Sequence, residues 1–121
     1  MTINYDNRIF APRATSANGE ANSSTLFHYH QEGDIVWATY AGGGVNFGTL
    51  IATVDASGQL DMRYTHVNAR GELMTGICHT TPETLPDGRL RLHERWRWTC
   101  VDESAGESVV EEIMPEILPR A

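Results

Sequence analysis

Across residues 89–100 the chain alternates with a period of two. Arg89, Arg91, His93, Arg95 and Arg97 take the odd positions; Leu90, Leu92, Glu94, Trp96, Trp98 and Cys100 take the even ones. A run of this length predicts a strand with one charged and one apolar face, because helical spacing would scatter the arginines around the whole circumference. The same reading, punctuated by turn formers, predicts strands over residues 7–14, 25–31, 34–41, 45–54, 60–68, 72–80, 89–100 and 107–113. Residues 15–23 form a polar loop, and residues 82–88 form a longer loop ending in Pro86-Asp87-Gly88. No dozen consecutive residues carry helical periodicity, so any helix lies in the first loop or the tail.

A loose grammar of glycine, one residue, then an aliphatic recurs at Gly33-Asp34-Ile35, Gly43-Gly44-Val45, Gly58-Gln59-Leu60, Gly71-Glu72-Leu73 and Gly88-Arg89-Leu90. The expectation is that each glycine closes a hairpin and each aliphatic opens the next strand's buried face. Its spacing is too irregular for a solenoid. Eight strands with no helix to cover them must curl and close, or leave bare edges and an uncovered apolar face. The predicted fold class is therefore all-β, an eight-stranded antiparallel up-and-down meander closing into a barrel. A flatter meander that dimerises to hide its face is the second arrangement, and a Greek-key sandwich the third. A length of 121 residues suits one domain, 1–121, with 1–6 as lead-in and 114–121 as tail.

Composition narrows the function classes. The net charge of −7 disfavours nucleic acid and anionic membranes as partners. All nine basic residues are arginine, so Schiff-base chemistry and a lysine-dependent phosphate loop have no residue to use. No signal-like or membrane-spanning apolar run is visible, and two cysteines, Cys78 and Cys100, do not make a secreted disulfide framework. A cytoplasmic protein with reduced thiols is expected.

The candidate chemistry centres on Glu94, a carboxylate between Leu92 and Trp96 on the apolar face of its strand. Loss of hydration raises the pKa of such a group unless a cation or donors meet it. It can then serve as acid or base, anchor a ligand, or be a buried structural carboxylate. Strand 60–68 offers an inward set of Leu60, Met62, Tyr64 and His66. The expected constellation is Glu94 with His66 as an acid–base pair, and Trp96, Trp98, Tyr64, Trp37, Tyr40, Cys78 and His28 as ligand-binding neighbours. His28 and His30 share a strand face, but no spacing matches a metal motif, so neither metal nor cofactor is expected. Both faces of strands 45–54 and 72–80 are mixed, and their register stays open. The arginine face reads as a solvated exterior, with Glu107, Glu111 and Glu112 available across from it.

The runs GDIVWATYAGGGVNFGTLIA, LDMRYTHVNARGELMTG and RLHERWRWT resemble a family of small bacterial proteins often labelled N-acetylglutamate synthase. That label implies acetyl transfer, which needs a strand, a glycine-rich pyrophosphate turn and a helix N-terminus. Here the nearest glycine cluster, Gly42-Gly43-Gly44, sits between two strands, so the resemblance places no catalytic residue. At the level of fold alone the architecture is similar to calycin-type barrels such as lipocalins and avidin. The leading expectation is a barrel binding a small, partly apolar ligand in its lumen. A small isomerase or lyase using Glu94 and His66, and a structural protein with a packed interior, are the alternatives. A homodimer is the expected protein partner, if any.

Overall fold

The computed structural model describes residues 3–113. Its strands are β1 (Arg8–Thr15), β2 (Leu26–Glu32), β3 (Ile35–Gly42), β4 (Val45–Val54), β5 (Leu60–Asn68), β6 (Leu73–Thr84), β7 (Leu90–Trp98) and β8 (Ala105–Glu112). They pair antiparallel in chain order, and β8 returns to β1, so the sheet closes into an eight-stranded barrel. The predicted all-β up-and-down meander is the fold. Among the described residues there is no helix, and the first loop is irregular. The expected tail, 114–121, lies outside the described residues, as do residues 1–2.

Strands β4 and β5 match the expected spans. The largest departure is β6, which continues through Pro82 to Thr84 where a loop was expected. Leu60, at the start of β5, already pairs with Thr80, so beyond that point β6 has a partner only in β7. A proline is tolerated where one side of the strand needs no ladder donor. The glycine half of the turn grammar holds: Gly33, Gly43, Gly58, Gly71 and Gly88 all have φ between +59° and +89°. The aliphatic half holds at Val45, Leu60 and Leu90 and fails at Ile35 and Leu73, which are 50% and 70% exposed on the outer surface.

Register settles which faces look inward. On β7 the even positions do, as expected, and Arg91 and Arg95 pair outside with Glu111 and Glu107 of β8. On β5 the expected set Leu60, Met62, Tyr64 and His66 is inward. On β6 the inner face is Met74, Gly76, Cys78 and Thr80. On β4 it is Gly48, Leu50 and Ala52, while Phe47 and Ile51 are more than half exposed.

Three lumen aromatics each lie directly across from a glycine: Tyr40 from Gly48, Tyr64 from Gly76 and Trp96 from Gly106. A methyl group at any of these glycines would collide with the facing ring. The rings therefore lie flat across the neighbouring strand, where a side chain would otherwise stand, and shield its backbone. Gly76→Ala is expected to cost about 1–3 kcal/mol through overpacking, read from the midpoint of urea unfolding.

The two ends of the barrel are closed differently. At the lower end, residues 3–7 are more than a lead-in. Tyr5 is fully buried, its hydroxyl donates to the Gly58 carbonyl, and its N–H donates to Gln31 Oε1 at 2.8 Å. Its ring lies 6.0 Å from that of Tyr29, which packs edge-on to Phe10 at 4.8 Å. Val36, Leu60, Leu90, Leu92 and Val110 complete this plug. The upper end is covered by the loop of residues 16–25.

Candidate functional site

Beneath that loop a cavity of about 70 Å³ remains in the upper half of the lumen. Its wall carries Tyr40, Tyr64, His66, Cys78, Glu94, Trp96 and Trp98 from four strands, with Phe27, Leu50, Met62 and Ser108 between them. These side chains meet because a period of two sends alternate residues of every strand inward, and the ladder sets them side by side. The two tryptophans and Tyr64 form a corner, whereas Phe27 stacks on Tyr40 at 4.7 Å and Tyr64 lies near-parallel to His66 at 6.4 Å. Trp96 and Trp98 are 5.6 Å apart at 62°, and Tyr64 and Trp98 are 5.7 Å apart at 70°.

Glu94 faces inward between Thr80 of β6 and Ser108 of β8. Among the described residues its carboxylate has one hydrogen-bond donor, the Thr80 hydroxyl at 3.3 Å. The residue keeps some accessible surface, and its carboxyl is enclosed by barrel wall and borders the cavity. Burial is the dominant influence and pushes its pKa up from 4.5 to about 7; the Thr80 hydrogen bond pulls the other way. The Ser108 hydroxyl is engaged elsewhere, accepting from Trp96 Nε1 at 2.8 Å and sharing a proton with Thr15 at 2.7 Å. The Tyr64 hydroxyl has no hydrogen-bond partner among the described residues. The Cys78 thiol is buried beside Thr80 at 3.8 Å, and burial raises its pKa far from the thiolate form a nucleophile needs.

His66 is placed quite differently from the expected partner of Glu94. Both its ring nitrogens are engaged: Nδ1 lies 2.9 Å from the Tyr40 hydroxyl, and Nε2 lies 2.8 Å from Glu20 Oε1. With the proton on Nε2, the ring donates to Glu20 and accepts from Tyr40, and both atoms are satisfied. Glu20 Oε2 accepts from Asn68 Nδ2 at 2.9 Å and from Arg70 at 3.4 Å. The expected acid–base pair of Glu94 and His66 is therefore not a hydrogen-bonded pair; His66 serves the loop. On the other side of the mouth Trp98 Nε1 donates to the Asn18 carbonyl at 3.1 Å. The Asn18 amide in turn reaches Ser104 of the β7–β8 connection and the carbonyl of Ala105 at the start of β8.

Glu20 thus latches residues 16–25 across the mouth, and sequence reasoning missed it. It sits in a polar loop 46 residues from His66, with no spacing to connect the two. Glu20→Ala would leave buried His66 and Asn68 short of an acceptor. The expected loss is about 1–3 kcal/mol, with faster amide exchange confined to residues 16–25 in hydrogen-exchange measurements.

Two expected lumen residues lie outside. His28 is exposed on the outer face of β2, and Trp37 is 38% exposed on the outer face of β3, tilted over the His30 ring at 5.7 Å. The strand that carries Trp37 buries Val36, Ala38 and Tyr40, so its even positions, not its tryptophan, set the inner face. His30 is likewise an outer-face residue, so the strand face it shares with His28 looks away from the lumen. Cys78 and Cys100 are both free thiols, with Cys100 set against Met74 and Thr75.

Comparison with known families bears on this geometry directly. No curated protein matches the chain, and no solved structure does. Nothing found supports the N-acetylglutamate synthase label. A family described as avidin-like protein matches residues 3–113, which is the whole of the closed barrel from the Tyr5 plug to the end of β8. Plugged below, latched above and lined by aromatic rings, this chain belongs to the avidin-like protein family.

Proposed function

We propose that the protein binds a small, partly apolar ligand in the upper lumen, against Trp96, Trp98 and Tyr64, with Glu94 orienting it. Avidin-like β-barrels typically bind small ligands. What carries the reading for this chain is unspent hydrogen-bonding capacity at the cavity: the Glu94 carboxyl with one donor, and the Tyr64 hydroxyl with none among the described residues. A pocket of mostly apolar wall with a few convergent polar groups is what small-molecule recognition uses. A cavity of about 70 Å³ is smaller than the roughly 150 Å³ that admits benzene in an engineered apolar site. A larger ligand therefore enters with displacement of residues 16–25.

Tryptophan emission, with two of the three tryptophans on the cavity wall, is a direct readout. A metabolite panel that includes biotin should contain a compound that shifts it, and Trp98→Ala should abolish the shift while the barrel stays folded. A panel with no active member would count against the reading.

A second copy of the chain is the protein partner we propose. Support comes from the outer surface of β3 to β6, where Trp37 lies directly across from Ile51 and where Phe47 and Leu73 are also exposed. Exposed apolar groups on one face mark an association surface. Light scattering should find a dimer that Ile51→Asp dissociates; a monomer at all concentrations would refute this.

A further inference from the structure

We infer that the lumen ligand is a small organic cation, an alkylammonium or similar protonated amine, with its charge on the Glu94 carboxylate and its hydrocarbon against Trp96, Trp98 and Tyr64. The inference rests on the ligand-binding reading above and names the class of ligand.

Charge at the cavity points one way. Among the described residues its wall holds two carboxylates, Glu20 and Glu94, and no arginine; the chain has no lysine. Glu20 is consumed by His66, Asn68 and Arg70. Among the described residues Glu94 has only the Thr80 hydroxyl. Arginines 89, 91 and 95 reach outward to Asp87, Glu83, Glu107 and Glu111, and Arg63 to Asp61. An anionic ligand would lose its hydration in the lumen and meet a carboxyl with no compensating cation. A cation meets the reverse: a carboxylate with no cationic partner among the described residues, and the rings set at steep angles around Trp98.

That second feature is independent of the first. Rings stacked in parallel would bury their faces on each other. Here Trp98 meets Trp96, Tyr64 and His66 edge-on at 62° to 76°, contacts that cover at most one face of a ring each, while Tyr64 and His66 themselves lie near-parallel at 14° with centroids 6.4 Å apart. An ammonium or methylated nitrogen is attracted to such faces, most strongly to tryptophan and more so when water is excluded. The free Tyr64 hydroxyl suits a ligand that also carries an acceptor.

Binding should also displace a proton. Thr80 of β6 and Ser108 of β8 flank Glu94, and the titratable groups within reach of its charge are Cys78 of β6, Tyr64 of β5, Tyr40 of β3, Tyr29 of β2 and Tyr5 of the plug. The phenols and the thiol are all raised by burial and stay neutral near pH 7; His66 is held between Tyr40 and Glu20. A cation on the Glu94 carboxylate takes the place of its proton. Affinity then rises with pH until the carboxyl is fully ionised.

The test uses the full chain, with calorimetry and tryptophan emission at pH 6, 7 and 8. The probes are methylammonium, ethylammonium and benzylammonium, each set against its matched alcohol and carboxylate. The ammonium compounds should bind about tenfold or more tightly than the alcohols, and the carboxylates not at all. Ammonium affinity should rise about tenfold from pH 6 to pH 8. Glu94→Gln, which keeps the shape and removes the charge, should erase both the preference and the pH slope while alcohol binding persists. If alcohols or carboxylates bind as well as ammonium through the same tryptophans, the cation class is wrong and lumen binding stands. If neither these probes nor the metabolite panel shift the emission of folded protein, both readings fall.

Discussion

Tyr5→Ala should destabilise the barrel by about 3–5 kcal/mol, the range for removing a buried aromatic ring. That is a large share of the roughly 5–15 kcal/mol that holds a typical domain together. The reason lies in the way the lower end is closed. A single ring, fully buried, fills the space between Tyr29 and the β4–β5 turn, and its hydroxyl satisfies the Gly58 carbonyl. Tyr5→Phe separates the two contributions: it keeps the packing, loses the hydrogen bond, and should cost about 1–2 kcal/mol. Urea unfolding of both variants measures this. Equal and small losses would mean that the segment merely rests on the barrel.

Glu94→Gln should stabilise the protein, and by an amount that depends on pH. In the unfolded chain this carboxyl titrates near 4.5; in the barrel burial raises it to about 7. Below pH 4 it is protonated in both states and costs nothing. Between pH 4.5 and 7 the unfolded chain has released its proton while the folded one holds it, so stability falls as pH rises. Above pH 7 the full cost is in place, about 3 kcal/mol for a difference of this size. The variant should therefore be more stable than the parent by about 2–3 kcal/mol at pH 8 and indistinguishable from it at pH 4. Paired denaturation curves at the two values read the difference directly. A pH-independent effect would show that the carboxyl is hydrated after all. Carrying a destabilising group on the cavity wall fits a site kept for a ligand, because function commonly costs stability at the place where it acts.

The barrel was legible where one face of a strand is uniformly apolar or uniformly charged. On β7 the arginines mark the outside and the leucines and tryptophans the inside, and Glu94 could be picked out as the exception. On β5, Leu60, Met62, Tyr64 and His66 were placed correctly for the same reason. On β4 and β6 the pattern misleads because the inner face holds glycines. Gly48 and Gly76 look like interruptions of a strand, yet they are where the rings of Tyr40 and Tyr64 come to rest. Their burial belongs to residues on another strand, and no single-strand periodicity can show it. Phe47 and Ile51 mislead in the opposite sense, since their exposed side chains mark an outer surface.

What the amino-acid pattern alone determined was the number of strands, their antiparallel order, the hairpin positions and the isolation of one carboxyl among tryptophans. These follow from local rules: a period of two, glycines at positive φ, and the penalty for an open sheet. The tertiary structure alone decided which residue closes each end and which histidine is available. Tyr5 meets Gly58, and Glu20 meets His66, across 53 and 46 residues of chain. Such contacts depend on the shear and curvature of the closed sheet, which bring distant loops over the same opening, and no local spacing encodes that distance.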